Sequence, residues 1–350
     1  MDRDEVWRFL ERFTEMAAGA TTVGLLAVAD RCGLLGRMMA ADAATTAEIA
    51  SAAGLQPRYV EEILSGLAAA GVVEYDADAN TFRLSDEAAA CVADESSPYF
   101  MGGWLDMIPA LLAVVSQVAV ATQAGGGVDF SDFGDDMVVG IDRANGPSMR
   151  VLLTRKWLPV MPDVVARLQS GARIADVGCG SGAASLAMAG AYPRSTVTGY
   201  DSDARSILRA AARAEKTGLE NLSFEKLIAV DLPLEPPFDL ITTFDVVHDL
   251  ADPLAVLQRI RGALTPGGTY LMMEPDAAPD LADNLNPRGA LLYGISTLHC
   301  MTQSLAAGGA GLGAAGGPVR AEELCREAGF SRFQRLDVDN QFSAFYRVEA

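Results

Sequence analysis

Residues 172–201 read ARIADVGCGSGAASLAMAGAYPRSTVTGYD. A short apolar run breaks at three closely spaced glycines, a small-residue segment of helical spacing follows, and a second apolar run closes on Asp201. This is a strand, a tight turn, a helix and a second strand, the unit that builds parallel sheets. Gly178, Gly180 and Gly182 let the backbone turn sharply and approach a ligand closely. The helix start behind them offers free N–H groups and a positive dipole end.

The alternation continues to the end of the chain. Strands are expected in LSFEKLIA, FDLITTFD (238–245) and TYLMMEP (269–275), helices in DARSILRAAARAEKTG, PLAVLQRIRGALTPGG and RAEELCREAGF, and two closing strands in RFQRLDVDNQFSAFYRVE. The fold class is therefore α/β: a Rossmann-like, doubly wound, mostly parallel seven-stranded sheet over residues 158–350. The low-complexity run AAGGAGLGAAGG (306–317) is expected as a loop near the carboxyl edge of that sheet.

Residues 1–100 follow another pattern. TTAEIASAAGLQPRYVEEILSGLAAAGVVEYDADANTFRLSDE (45–87) has a helix-turn-helix layout with two short strands after it, a winged helix. Thr45 or Thr46 can cap the first helix with Glu48 in its first turn, and Gly71 is a natural stop for the second. A winged helix raises the question of DNA, but these hundred residues hold seven Arg, no Lys and seventeen acidic residues. A groove reader needs a basic face, and the whole chain carries −19. No nucleic-acid partner is expected; a dimerisation and lid domain is, with a homodimer through it. Residues 101–157 are expected as a helical linker ending in the mobile, Gly-rich loop QAGGGVDFSDFGDD (123–136), whose Phe130 and Phe133 can cover a pocket.

The apolar stretch 107–125 is interrupted by Pro109, Ser116 and Gln117 and falls short of the roughly 20 apolar residues that span a bilayer. It is expected as a buried helix, with no membrane partner. The N-terminus lacks a signal-peptide pattern, and five scattered cysteines without metal-ligand spacing fit reduced thiols, no metal and a cytoplasmic protein.

The glycine spacing alone fits a dinucleotide as well as S-adenosylmethionine (SAM). Asp176, two residues before the first glycine, separates them: a carboxylate there repels a pyrophosphate and favours the ammonium of a bound amino acid. VGCGSG with Asp176, then YDSD, then TTFDVVHD, resembles the class I SAM-dependent methyltransferases over about the last 190 residues. The winged half is similar to that of bacterial small-molecule O-methyltransferases. The resemblance implies SAM as cofactor, with Asp176, Gly178 and Gly180 at its methionine end, Asp201 on the ribose, Ser202 beside the adenine, and Phe244 and Asp245 closing the pocket. Relatives carry an acid near the end of the third strand for the adenine amine; here that place is Ile228, and Asp231 or the backbone must serve.

The resemblance also implies methyl transfer to a small molecule, at a phenolic or enolic hydroxyl. His248 aligns with the base of the family's HDW pattern, read here as HDL. Of the two acids that flank that base in relatives, Glu274 matches one, and the place of the other, GAAGGPVR, holds none. A plainer reading of His248 stands beside this one, because Asp252-Pro253 is a good N-cap and N1 pair and HDLAD can be simply the turn into the next helix. Trp104, Met107, Phe130, Phe133, Tyr293 and His299 are the candidate substrate residues. A NAD-dependent oxidoreductase and a non-catalytic SAM-binding regulator are the rival readings.

Overall fold

The computed structural model describes residues 1–350. The chain begins with a long helix, α1 (Arg3–Arg31), followed by α2 (Leu34–Met39), α3 (Thr46–Ala53) and α4 (Pro57–Ala69). The Thr45 cap forms as a full capping box with Glu48. After Gly71, strands β1 (Glu74–Asp76) and β2 (Thr81–Arg83) pair antiparallel as the wing. Asp76 accepts the N–H groups of Asp78 and Ala79, which closes the DADAN turn. The wing strands are three residues each, shorter than VVEYD and TFRLS, because pairing runs only from Glu74–Arg83 to Asp76–Thr81. Helix α5 (Asp86–Val92) follows. The core of this part is Leu34, Leu35, Val60, Leu64, Leu67 and Phe82.

Two compact units emerge, one of residues 1–109 with 139–148 and one of residues 110–138 with 149–350. The middle segment is thus shared between them. Arg143 explains why 139–148 belongs to the first unit: its guanidinium binds Asp106 at 2.6 Å and Asp30 and Glu95 at 2.8 Å. The apolar stretch 107–125 is not one buried helix. It lies within α6 (Trp104–Ala113) and α7 (Val115–Ala124), bent by 48°, and several of its apolar side chains, Val120 among them, are exposed. No single helix is long and apolar enough to cross a membrane. Helix α8 (Gly134–Leu152) and α9 (Pro162–Ser170) lead into the sheet.

In the second unit the expected alternation appears as β3 (Arg173–Val177), α10 (Ala183–Ala191), β4 (Thr196–Asp201), α11 (Ala204–Thr217), β5 (Leu222–Lys226), β6 (Phe238–Phe244), α12 (Pro253–Ala263) and β7 (Leu264–Pro275). Helices α13 (Pro287–Ile295), α14 (Met301–Ala306) and α15 (Gly317–Glu327) precede β8 (Arg332–Arg335) and β9 (Ser343–Glu349). The seven strands lie in the order β5-β4-β3-β6-β7-β9-β8, all running one way except β9, which is antiparallel to both of its neighbours. β7 starts earlier than TYLMMEP, at Leu264, because Leu264 already pairs with Phe238 before the register shifts. One face of the sheet packs on α12 and α15 through Leu257, Ile260, Leu324 and Cys325; the other buries Leu153, Trp157, Leu168 and Met188. Strand order reverses between β3 and β6, and ligands of open α/β sheets bind beyond the carboxyl ends of the strands at such a point.

Candidate active site

The turn after β3 is held from below. Gly178 takes φ +71°, and a Cβ there would lie 2.5 Å from Cγ2 of Val246. The N–H groups of Gly178 and Cys179 both donate to the Tyr200 carbonyl, and the Gly180 N–H donates to Oδ2 of Asp201 at 2.8 Å. Gly182 begins α10 without a side-chain cap.

One buried carboxyl group, Asp176, and two half-buried ones, Asp201 and Asp245, stand at the carboxyl ends of β3, β4 and β6. Asp176 accepts from Oγ of Ser185 at 2.5 Å and Oγ1 of Thr242 at 2.8 Å, yet burial still pushes its carboxyl up to about 6. Burial also raises Asp201, against the N–H bonds from Asp203 and Gly180. Asp245 follows β6 in the left-handed region, φ +56°, with Oδ1 buried and unpartnered. Burial drives Asp245 up to about 7, and the nearby Glu274 and Asp249 add to this while His248 opposes it. The hydrogen-bond donors to the three are hydroxyl and backbone N–H groups, not Lys or Arg. Ser202, Asp231 and Ile228 are exposed, Asp231 on a single turn (Ala229–Asp231), while Phe244 is half-buried against the core.

His248 lies two residues beyond the Val246 that covers Gly178, within the short turn Val247–Asp249. Its Nδ1 is 2.6 Å from Oε2 of Glu274. A carboxylate only accepts, so Nδ1 carries the proton and Nε2 is left for chemistry. Glu274 also gathers the backbone: its carboxylate accepts from the N–H groups of Val246, Val247 and His248, at 2.8 Å for Val247. Beside Nε2 stand Oδ1 of Asp249 at 3.3 Å, without hydrogen-bond geometry, and Sγ of Cys300; the three atoms lie within 4.8 Å of one another. Burial acts to lower the His248 pKa, but the charges of Asp249 and Glu274 outweigh it and hold the imidazole well above its ordinary value. The capping reading also holds, since Asp252 accepts from Ala255 and Pro253 opens α12. The two readings concern different halves of the turn.

The glycine-rich run 306–317 is a fastened strap. Ser304 Oγ donates to the Leu250 carbonyl and accepts from Gly311, Ala310 N–H donates to Ala251, and Gly313 N–H donates to the carbonyl of His248 itself. At Gly309 a Cβ would lie 2.3 Å from Cα of Ala251, so the strap needs glycine to reach the turn. Sequence reasoning missed Ser304, Gly313 and Asp249; the glycines were the signal, read only as a loop near the carboxyl edge of the sheet.

The loop 123–136 is fastened as well. Val128 N–H donates to Oγ1 of Thr302 at 2.9 Å, and the rings of Phe130 and Phe133 meet His299 edge-on at 5.8 and 5.0 Å. Arg205 lies over the Phe130 ring. Phe130, Phe133 and His299 are thus brought together. Tyr293 is partly exposed, and Trp104 and Met107 belong to the first unit.

Comparison with known proteins agrees with this architecture. A "Methyltransferase domain" family matches residues 168–306, and a "Rv2258c-like winged HTH domain" family matches residues 19–94. The trans-aconitate 2-methyltransferase of Methylobacterium nodulans is 30% identical over 130 residues, 37% of this chain and 48% of that protein. A ubiquinone biosynthesis O-methyltransferase of Caulobacter is 36% identical over 104 residues, 29% of this chain and 40% of that one. The chain therefore spans less than half the length of these curated relatives. Among solved structures, a methyltransferase of calicheamicin biosynthesis with S-adenosylhomocysteine (SAH) bound superposes with a TM-score of 0.70 at 19% identity, covering 100% of both chains. Residues 168–306 thus match a methyltransferase domain and residues 19–94 a winged helix-turn-helix domain, and the fold is that of the class I methyltransferases.

Proposed function

We propose that the protein transfers the methyl group of SAM to a phenolic or enolic hydroxyl of a small molecule, with His248 as general base. The observation that carries this reading is the trio Asp176, Asp201 and Asp245. Three acids at the carboxyl ends of neighbouring strands, one buried and two half-buried, one of them with an unpartnered oxygen, leave a site short of positive charge. A ligand that brings an ammonium, a cationic centre and ribose hydroxyls relieves that shortage; a pyrophosphate worsens it. The test is calorimetry: SAH should bind and NAD should not. Binding of NAD without SAH would turn the reading to an oxidoreductase.

In this reading Asp176, Gly178 and Gly180 shape the methionine end and Asp245 faces its positive charge. Asp201 orders the turn through Gly180 and presents its carboxylate to the ribose. Ser202 and Asp231 lie toward the adenine, where their exposure makes them the weaker contacts. Phe244 closes the pocket floor. SAM supplies an electrophilic methyl group on a good leaving group, so the protein has only to align the acceptor, exclude water and take a proton. With SAM bound and its methyl group offered to the acceptor oxygen, the hydroxyl proton would pass to Nε2 of His248. Glu274 fixes the tautomer through Nδ1 and steadies the imidazolium that results. The strap 306–317 does the work of the missing second acid by holding the turn through its carbonyls rather than through the ring.

The reading includes a homodimer. On α1, Trp7, Phe9, Leu10, Phe13 and Met16 share one face, and each is at least 45% exposed. The opposite face of the same segment carries more acid than base (Asp4, Glu5, Glu11 and Glu15 against Arg8 and Arg12), which opposes an anionic membrane surface and favours a second copy. Phe13→Glu should halve the sedimenting mass while SAH affinity holds; an unchanged mass would remove α1 from the interface.

A further inference from the structure

Two polar atoms near the proposed base have no partner. His299 is 5% exposed, and its Nε2 is buried without a hydrogen bond. Its Nδ1 faces the Gln303 amide nitrogen at 3.4 Å and the Cys300 thiol at 3.7 Å, both donors. Nδ1 is therefore the accepting nitrogen, and the proton sits on Nε2. Burial keeps the ring neutral by lowering its pKa. Oδ1 of Asp249 also accepts no hydrogen bond, though it stands 3.3 Å from Nε2 of His248 and faces that ring's charge. Cys300 touches both neighbourhoods: its Sγ is 3.7 Å from Nδ1 of His299 and within 4.8 Å of the His248 and Asp249 atoms.

Leaving the His299 donor buried and unpaired is costly, and a ligand that offers it an acceptor recovers that cost. From this juxtaposition, and resting on the reading that His248 faces the methyl acceptor, we infer that the acceptor is a planar compound whose reacting hydroxyl is flanked by a carbonyl. The hydroxyl donates to Nε2 of His248, beside Oδ1 of Asp249. The carbonyl oxygen accepts from Nε2–H of His299, and the ring lies along Phe130 and Phe133, which already pack on that imidazole. A hydroxyl conjugated to a carbonyl is more acidic than a simple phenol, which suits a base with one supporting acid.

The experiment is ligand binding to the SAH-loaded protein, with 2-hydroxy-1,4-naphthoquinone and 2-naphthol as the probes. The wild type should prefer the quinone by roughly tenfold or more. His299→Phe, which keeps a flat ring and loses the donor, should erase that preference without changing 2-naphthol or SAH binding. His299→Gln, which restores an N–H, should recover part of it. SAH binding with no preference for the quinone, with neither probe bound, or with a preference that survives in His299→Phe, overturns the inference alone. Failure of SAH to bind overturns the methyl-transfer reading beneath it.

Discussion

His248→Ala should reduce methyl transfer by about 10²–10⁴-fold, the usual worth of a positioned general base, while SAH binds as before. The separation matters because the His248 ring hydrogen-bonds Glu274, not the glycine turn, and reaches the cofactor side only as a charge near Asp245. The pH profile should carry the signature. A base works in its neutral form, and Asp249 and Glu274 hold the imidazole protonated above its ordinary pKa. Activity should therefore climb with pH through a limb lying above that of free imidazole. Glu274→Gln removes one of the two charges that raise His248, so the limb should move to lower pH even as the maximal rate falls with the lost orientation. A limb that stays in place in Glu274→Gln, or a His248→Ala enzyme as fast as the wild type, would assign the proton to another group and leave His248 as a turn residue.

Much of this was legible in the sequence because it depends on local rules. Three glycines between two apolar runs dictate a strand–turn–helix, and the turn formed where those glycines stand, with Asp201 tied back to Gly180. The capping box at Thr45 and the wing followed from residues within a few positions of each other. What the sequence hid depends on distant backbone approach. Nothing in AAGGAGLGAAGG says that Gly313 donates to the carbonyl of His248, 65 residues earlier, because the pairing uses main-chain atoms that every residue has. The same holds for Gly127, whose missing Cβ would meet the Thr302 carbonyl at 1.8 Å. The loop 123–136 reads as mobile from its glycines, yet Gly127 serves close packing, while Gly125, Gly126 and Gly134 take positive φ in open space. The position where relatives carry an acid for the adenine amine is Ile228 here, and Ile228 and Asp231 are both exposed. The adenine end is thus the part of the cofactor reading that stands on the fewest built contacts.

The sharpest test of the cofactor reading lies in Asp245→Asn. Asparagine keeps the shape and tolerates the left-handed backbone that Asp245 adopts. It removes a carboxylate that folding holds up to about 7. An acid whose folded pKa lies above its unfolded one of about 3.9 binds its proton more tightly in the folded state, so stability falls as pH rises between the two values and then levels off. Without ligand, the wild type should lose on the order of a few kcal/mol from this group between about pH 4 and pH 8, and Asp245→Asn should not. Its melting temperature should exceed that of the wild type in mild alkali, and the gap should close toward acid. A cationic ligand reverses the balance, because it favours the ionised carboxylate. SAM should therefore raise the melting temperature of the wild type more at pH 8 than at pH 5.5 and should raise that of the variant little at either. Asp176→Asn would not behave in the same way. Both oxygens of Asp176 accept hydroxyl protons, from Ser185 and Thr242, so an amide replaces one acceptor with a donor and costs stability in its own right. A common pH dependence for wild type and Asp245→Asn, with equal stabilisation by SAM, would mean that the unpartnered oxygen of Asp245 faces no cation and that the acidic trio is not what selects the cofactor.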